Sequence, residues 1–463
     1  MHRWRKAPSG QQVAVNGPQP ITRPISDERC RISDQRFLHD LLTTFAGTMP
    51  ALCNRNERNM LPLVLLLPAL FKLFLLSPVE LFEVHTIAKE WLATGMFRYH
   101  HLGVWHASYQ FPVYPAIVAL MLWSGVGEVG VLVFQVVCGT ASAWLVHRLA
   151  HVVFSGRSSA GAVALMAAFL TGASPFLAVY QVRMIHPFAW DMLLALVLLL
   201  SSYTVSPERI GRMMLLAPLA GIAILNRPTL LVFLLPAAWR CRSHPFSVRY
   251  LMAVPVLMAL LLAPTGAWVL RNGVLDGHFT LSSATGQNLW IGIQRNTQGT
   301  AQLPDGRNYI ALLSREDRSA LSATDAHGQS GFFIDKWSEE LRAEPGLWWR
   351  MMGVKLRNFW LFRGNLGSHR PDPERWALAA FKVYTVVLLP LLFLAWRDER
   401  MRLLLVTLFM FSLAQALFYV ETRHRLLVEP VLLIVALGVM SSRTFHRCTA
   451  WTISGRVWRQ ARR

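Results

Sequence analysis

The stretch PVELFEVHTIAKEWLATGMFRYHHLGVWHASYQFPVYP, Pro78 to Pro115, lies between two strongly apolar regions. It carries the carboxylates Glu80 and Glu83, the basic side chains His85, Lys89, His100, His101 and His106, and a closing Pro-x-x-Pro. Hydrocarbon does not solvate such groups, so in a membrane protein they sit at or outside the lipid boundary, or in a wet cavity. As the first outer loop, this stretch sets which side of the membrane each later segment faces.

The surrounding composition supports the membrane setting. The chain of 463 residues is 53% hydrophobic, with 16% charged residues and a formal net charge of +20. Soluble domains carry closer to ~25% charged residues. Runs such as Leu61 to Leu76 and Leu193 to Leu200 are nearly pure aliphatic. The fold class that follows is an all-α polytopic membrane protein. The excess arginine falls in short connectors and in the tail, where the positive-inside rule puts it. Aromatic-interleaved basic patches are absent, which argues against a nucleic-acid partner.

A helix needs about 17–25 apolar residues to cross a bilayer. Segments meeting or approaching that pattern lie at about 60–77, 128–153, 159–178, 187–204, 211–225, 229–239, 250–269, 376–396, 402–420 and 425–441. The run Phe111 to Trp123 is short and opens on Pro112 and Pro115, as interfacial or re-entrant segments do. Leaving it in the first outer loop (78–127) puts Arg148/Arg157, Arg209/Arg212, Arg240/Arg242/Arg249 and Arg397/Arg400/Arg402 on one side with both termini. About ten spans with cytoplasmic ends are therefore expected. Residues 1–59 read as a disordered cytoplasmic tail, or as an over-long start with Met60 the initiator; 442–463 form a basic cytoplasmic tail. Cys30, Cys53, Cys241 and Cys448 fall on the reducing side and Cys138 within a span, so no disulfide is expected. The polar insert 271–375 is the main outer segment. HFTLSSATGQNLWIGIQ opens it as an extended stretch, and Gly331 to Phe362 shows helical apolar spacing, amphipathic and interfacial in its latter half.

Several groups in these segments can carry chemistry. Glu80 and Glu83, three apart, share a helix face with Ile87 and Trp91. A carboxylate at a dry boundary suits general acid–base work on a hydroxyl; a solvated carboxylate, or a partner for Lys89, is the plainer alternative. The spacing of His100, His101 and His106 matches no zinc signature; phosphate contact or interfacial packing suits them better than a divalent cation. YQVRMIHPFAWD places Arg183, His186 and Asp191 where the membrane resumes, either as functional groups or as an Arg183–Asp191 pair fixing helix ends. Arg227, Arg271, Arg423 and Arg425 fall on the outer side, against the positive-inside bias, and suit a phosphate on a lipid headgroup or lipid-linked substrate. No nucleotide-binding or nucleophile motif is present.

The order of IAKEWLATGMF and FPVYP, SPFLAVYQVR, LAGIAILNRPTLL, WVLRNGVLDGHFTLSSATGQNLWIG, PGLWWRMMGVKLRNFW and RHRLLVEPVLLIVALGV resembles the GT-C superfamily of polyprenol-phosphate-dependent glycosyltransferases, in particular the bacterial dolichyl-phosphate-mannose protein mannosyltransferase type. The resemblance covers most of 60–441. It implies Glu80 or Glu83 as general base, where the family usually has Asp, and Asp191 as the acid of the second outer loop. Arg423 and Arg425 match the family's basic pair. It further implies a polyprenyl-phosphate sugar donor, a hydroxyl acceptor and a bacterial inner-membrane location. A polytopic transporter or flippase for a lipid-linked or anionic substrate is the competing expectation, with a non-catalytic envelope scaffold as a third.

Overall fold

The computed structural model describes residues 55–78, 80–204, 210–241 and 248–442. The expected tails over 1–54 and 443–463, Arg209, Arg242, Cys30, Cys53, Cys448, and the side chains of Arg212, Cys241 and Arg249 lie outside the described residues.

The first apolar run forms α1 (Arg55–Phe74), which starts within the expected tail. A two-residue strand, β1 (Glu80–Leu81), precedes α2 (Glu83–Thr94). Helix α2 stops at Gly95, whose positive φ of 75° lets its N–H bond to Trp91 O at 2.8 Å. The hairpin β2 (Tyr99–His101) and β3 (Val104–His106) turns through Leu102 and Gly103, both at positive φ as a two-residue hairpin turn requires. Then come α3 (Val113–Trp123), α4 (Gly127–Val153), α5 (Ala160–Ala173), α6 (Pro175–Val182), β4 (Met184–Ile185) and α7 (Phe188–Thr204). Helix α8 (Ile210–Asn226) meets a 3₁₀ segment (Pro228–Leu234) at the Asn-Arg-Pro turn, followed by α9 (Leu235–Cys241) and α10 (Val248–Asp276). The polar insert contains α11 (Thr285–Ile293), α12 (Arg315–Ser322), α13 (Ala326–Ala343) and α14 (Leu347–Trp360). The chain closes with α15 (Asp372–Ala395), α16 (Glu399–Ala416), the single turn α17 (Arg423–Leu426) and α18 (Glu429–Met440).

Helices dominate, as the apolar runs require. Gly127–Val153, Met252–Asp276 and Asp372–Ala395 are each long and apolar enough to cross a membrane, and α5 with α6 forms a fourth such stretch bent by 49°. Met252, Leu262, Leu270 and Val274 are exposed along α10, as on a lipid-facing helix. By contrast α18 is apolar all round and almost wholly buried, which marks it as core. The main core is built from α4, α5, α7, α16 and α18. Helix α3, at 11 residues, is about 16 Å long, far short of a ~30 Å hydrocarbon slab. It packs on α2 and α4 instead, through Val118 and Ala119.

Two expectations change. Glu80 does not share a helix with Glu83: it pairs in a strand, and the helix begins at Glu83. The stretch after His278 is not extended throughout. Residues 285–293 coil into α11 because Gly286, Gln287, Trp290 and Ile291 recur at helical spacing and bury one face against α13. Only an isolated bridge, Gln302 to Asn308, represents β pairing in the described part of the insert.

Candidate active site

The two short loops that carry Glu80 and His186 are stitched together by backbone. β1 pairs in parallel with β4, Glu80 opposite Met184 and Leu81 opposite Ile185. Ser77 N donates to Val182 O at 2.8 Å and Glu80 N to Arg183 O at 3.2 Å. This fixes Glu80 and Glu83 beside the loop carrying His186, whose ring meets Phe82 edge-on at 5.0 Å. Glu83 occupies the first turn of α2, where the helix dipole favours a negative charge. Both carboxylates are half-buried, and neither makes a side-chain hydrogen bond or ion pair among the described residues.

Basic groups from distant parts of the chain face these acids. Arg423 Nε lies 2.9 Å from Glu421 Oε2, with about a quarter of its side chain exposed. Burial works against its charge, yet Glu421, with Tyr419, Tyr180 and Glu83 behind it, holds Arg423 above the ordinary arginine range. Burial keeps His186 well below the usual imidazole range, reinforced by Arg423 and Arg227. His424 is driven down by burial, then by Arg227, Arg423 and His186. Arg227 and Arg423 thus carry the positive charge beside the neutral rings of His186 and His424, with Glu83 within the field of Arg423.

Tyrosines complete the wall. Burial and then Glu83 push the hydroxyl pKa of Tyr99 up, and the same two influences act on Tyr109. Tyr309 is raised by burial first, with Glu83 contributing after neighbouring tyrosines. Tyr99 and Tyr109 lie 4.8 Å apart, and Gln287 Nε2 donates to Tyr109 OH at 3.2 Å. Such a wall offers aromatic faces and hydroxyls next to an unengaged carboxylate and a guanidinium.

Histidines expected to touch substrate turn out to join the hairpin to the insert. His101 Nε2 lies 3.1 Å from both Gln287 Oε1 and Tyr309 OH. His106 Nε2 lies 3.0 Å from Gln329 Oε1, and Nδ1 lies 2.9 Å from Ser283 Oγ. Because Gln329 Nε2 donates to Leu102 O and Leu321 O, its oxygen faces the ring, so Nε2 carries the proton and Nδ1 accepts from Ser283. His100 is exposed and packs edge-on against Trp105. Among the described residues, no group of three or more His, Cys, Asp or Glu side chains converges to hold a metal ion.

Other expected site residues have structural partners. His85 Nε2 and Lys89 Nζ lie 3.0 and 3.1 Å from Glu128 Oε1, at the start of α4. Arg271 donates to Ala107 O at 2.7 Å and covers the Trp268 ring, clamping the first loop to α10. Asp191 is paired not with Arg183 but with Arg227, at 2.7 Å, while Asn226 donates to its other oxygen at 2.5 Å. Arg183 stays exposed, without an ion pair among the described residues. The expected Arg423/Arg425 pair divides. Arg425 is buried, bound to Glu429 at 3.2 Å and Trp360 O at 3.0 Å, with its guanidinium 4.8 Å from the Phe381 ring centroid.

Residues that sequence reasoning passed over include Glu421, Tyr99, Tyr109, Tyr309 and Lys355. Glu421 and Arg423 stand two residues apart in Glu421-Thr422-Arg423, so their nearness is visible in the sequence. Lys355 falls in the helical apolar spacing of Gly331 to Phe362, which marks its face but not its partner. It is buried in the amphipathic α14, where it donates to Phe418 O at 2.9 Å and supports the loop before Arg423.

The chain matches no protein-family model, no curated protein and no solved structure.

Proposed function

We propose that the protein is an integral-membrane inverting glycosyltransferase, moving a hexosyl or pentosyl group from a polyprenyl-phosphate donor to a hydroxyl acceptor. The observation that carries this reading is an unengaged, half-buried carboxylate, Glu83, within the electrostatic field of Arg423 and walled by tyrosines. Glu83 removes the acceptor proton as the hydroxyl oxygen attacks the anomeric carbon. The bond from that carbon to the phosphate oxygen breaks, and the phosphate leaves with the electron pair. Arg423, with Arg227 behind it, stabilises the departing anion. Attack opposite the leaving group inverts the anomeric centre.

Glu80 is the second carboxylate at the same mouth, its backbone N–H bonded to Arg183 O. Asp191 positions Arg227 in this scheme, since both its oxygens are occupied. The accompanying architecture is GT-C-like: about ten spans, both termini cytoplasmic, the outer loops in the periplasm of a bacterial inner membrane. No step is assigned to a divalent cation.

The test supplies a polyprenyl-phosphate sugar, labelled in the sugar, to the protein in vesicles with candidate hydroxyl acceptors. The expected result is a glycosylated product of inverted anomeric configuration and stoichiometric free polyprenyl phosphate. Movement of intact donor between leaflets with no product would make the protein a transporter instead.

A further inference from the structure

Two buried polar side chains stand one turn apart on the same face of α14: Lys355, 1% exposed, and Asn358, fully enclosed. On a helix face that seals an apolar core, each such group must hold a partner. Asn358 Nδ2 donates to Gln298 O at 3.0 Å, and Lys355 Nζ donates to Phe418 O at 2.9 Å. The two acceptor segments are themselves joined, because Val420 N donates to Gly299 O at 2.9 Å. Helix α14, the turn at 298–299 and the backbone of 418–420 therefore close a ring of contacts. The Glu421–Arg423 ion pair follows that ring directly in the chain. The fit is tight. Gln298 and Gly299 both adopt positive φ, 55° and 70°, a turn closed by Gly299 N on Gln294 O at 3.0 Å. A Cβ on Gly299 would come within 2.8 Å of the Lys355 stem, and one on Gly292 within 2.7 Å of Phe418 O. Lys355 has no ion-pair partner among the described residues. A buried ammonium without a counter-charge works against stability, where a methionine of similar size would fill the space at lower cost.

We infer that Lys355 is a positioning residue: through Phe418 O it fixes the 418–423 backbone, and with it the direction in which Arg423 points. Lys355 touches no reacting atom. Its charge contributes placement of a distant guanidinium rather than stability. A guanidinium moved by about 1 Å loses much of its grip on charge that develops only in the transition state, so the cost falls on rate and not on donor binding. The task given to Arg423 rests on the proposed function, whereas the ring of contacts that holds it does not.

Lys355→Met and Gly292→Ala in the full chain in detergent test it, with hydrogen exchange, melting curves and sugar-transfer kinetics on the same preparations. Lys355→Met removes the bond to Phe418 O, and Gly292→Ala displaces the same carbonyl with Lys355 still present. In both variants the peptide covering 418–424 is expected to exchange about 10-fold or more faster, as Val420 N loses its hold on Gly299 O. In both, kcat is expected to fall about 10-fold or more while the donor KM stays within about 2-fold. Lys355→Met is expected to melt at or above the parental temperature, which a purely structural lysine would not allow. Parental exchange over 418–424 in both variants overturns the hold on this backbone. Faster exchange with parental kcat overturns the positioning role, and so does a Lys355→Met protein whose melting temperature falls together with its kcat. Faster exchange in the variants of a parent that transfers no sugar leaves the hold on Arg423 standing and removes the proposed function.

Discussion

Asp191 and Arg227 form an ion pair of 2.7 Å that ties the first turn of α7 to the Asn-Arg-Pro turn after α8. With Asn226 on its other oxygen and the residue only 2% exposed, the carboxylate is held at both oxygens inside the packed core. Its work is to aim Arg227 at the cluster shared with Arg423 and His186. Asp191→Ala is therefore expected to cost roughly 3–5 kcal/mol by stranding a largely desolvated guanidinium. The double variant with Arg227→Ala should cost clearly less than the sum of the single losses. Denaturant unfolding in detergent measures the cycle, and strict additivity would contradict the pairing.

Arg423 and Arg425 are adjacent in purpose only on paper. Arg425 is locked among Glu429, Trp360 O and Phe381, so Arg425→Lys should lower stability by about 1–3 kcal/mol while leaving kcat within a few-fold. Arg423 faces the acids, so Arg423→Gln should lower kcat about 100-fold, the size expected for removing one preorganised donor. Melting curves and initial rates on the same preparations separate the two. Identical profiles for the pair would remove the distinction.

His101 makes stability sensitive to acid. Burial, assisted by His106, lowers its pKa from 6.5 to about 4. Between those values the unfolded chain binds more protons than the folded one, so stability falls as pH drops from 6.5 towards 4 and is level above it. His106 is shifted the same way, first by burial. His101→Gln should therefore remove part of the acid sensitivity, read as a shallower decline of melting temperature with falling pH. A variant as acid-sensitive as the parent would exclude this origin.

The helical membrane character was legible because apolar runs such as Leu61 to Leu76 declare themselves by length. The brevity of Phe111 to Trp123 ruled out a full span but did not show that the segment packs as α3 against α2 and α4, and Asn226-Arg227-Pro228 marked a helix break. Partnerships were not legible. The partner of His85 and Lys89 could not be read from the first loop's own acids, because Glu128 stands beyond α3 in a different segment. Arg183 looked like the mate of Asp191 by proximity in sequence, whereas the packing of α8 against α7 delivers Arg227. The tyrosine wall gathers Tyr99, Tyr109 and Tyr309 from loops with no shared periodicity. Glu80 and Glu83 followed helical arithmetic only until the parallel pairing with Met184 and Ile185 drew Glu80 into a strand.

Replacing Glu83 by Gln removes the base while keeping its size, which makes it the sharpest probe of the site. Single-turnover sugar transfer by Glu83→Gln, with donor affinity measured on the same sample, is the measurement to make. A loss of about 10²–10⁴-fold in the transfer rate, with donor binding unchanged, is the predicted outcome. Transfer at the parental rate would contradict Glu83 as the base.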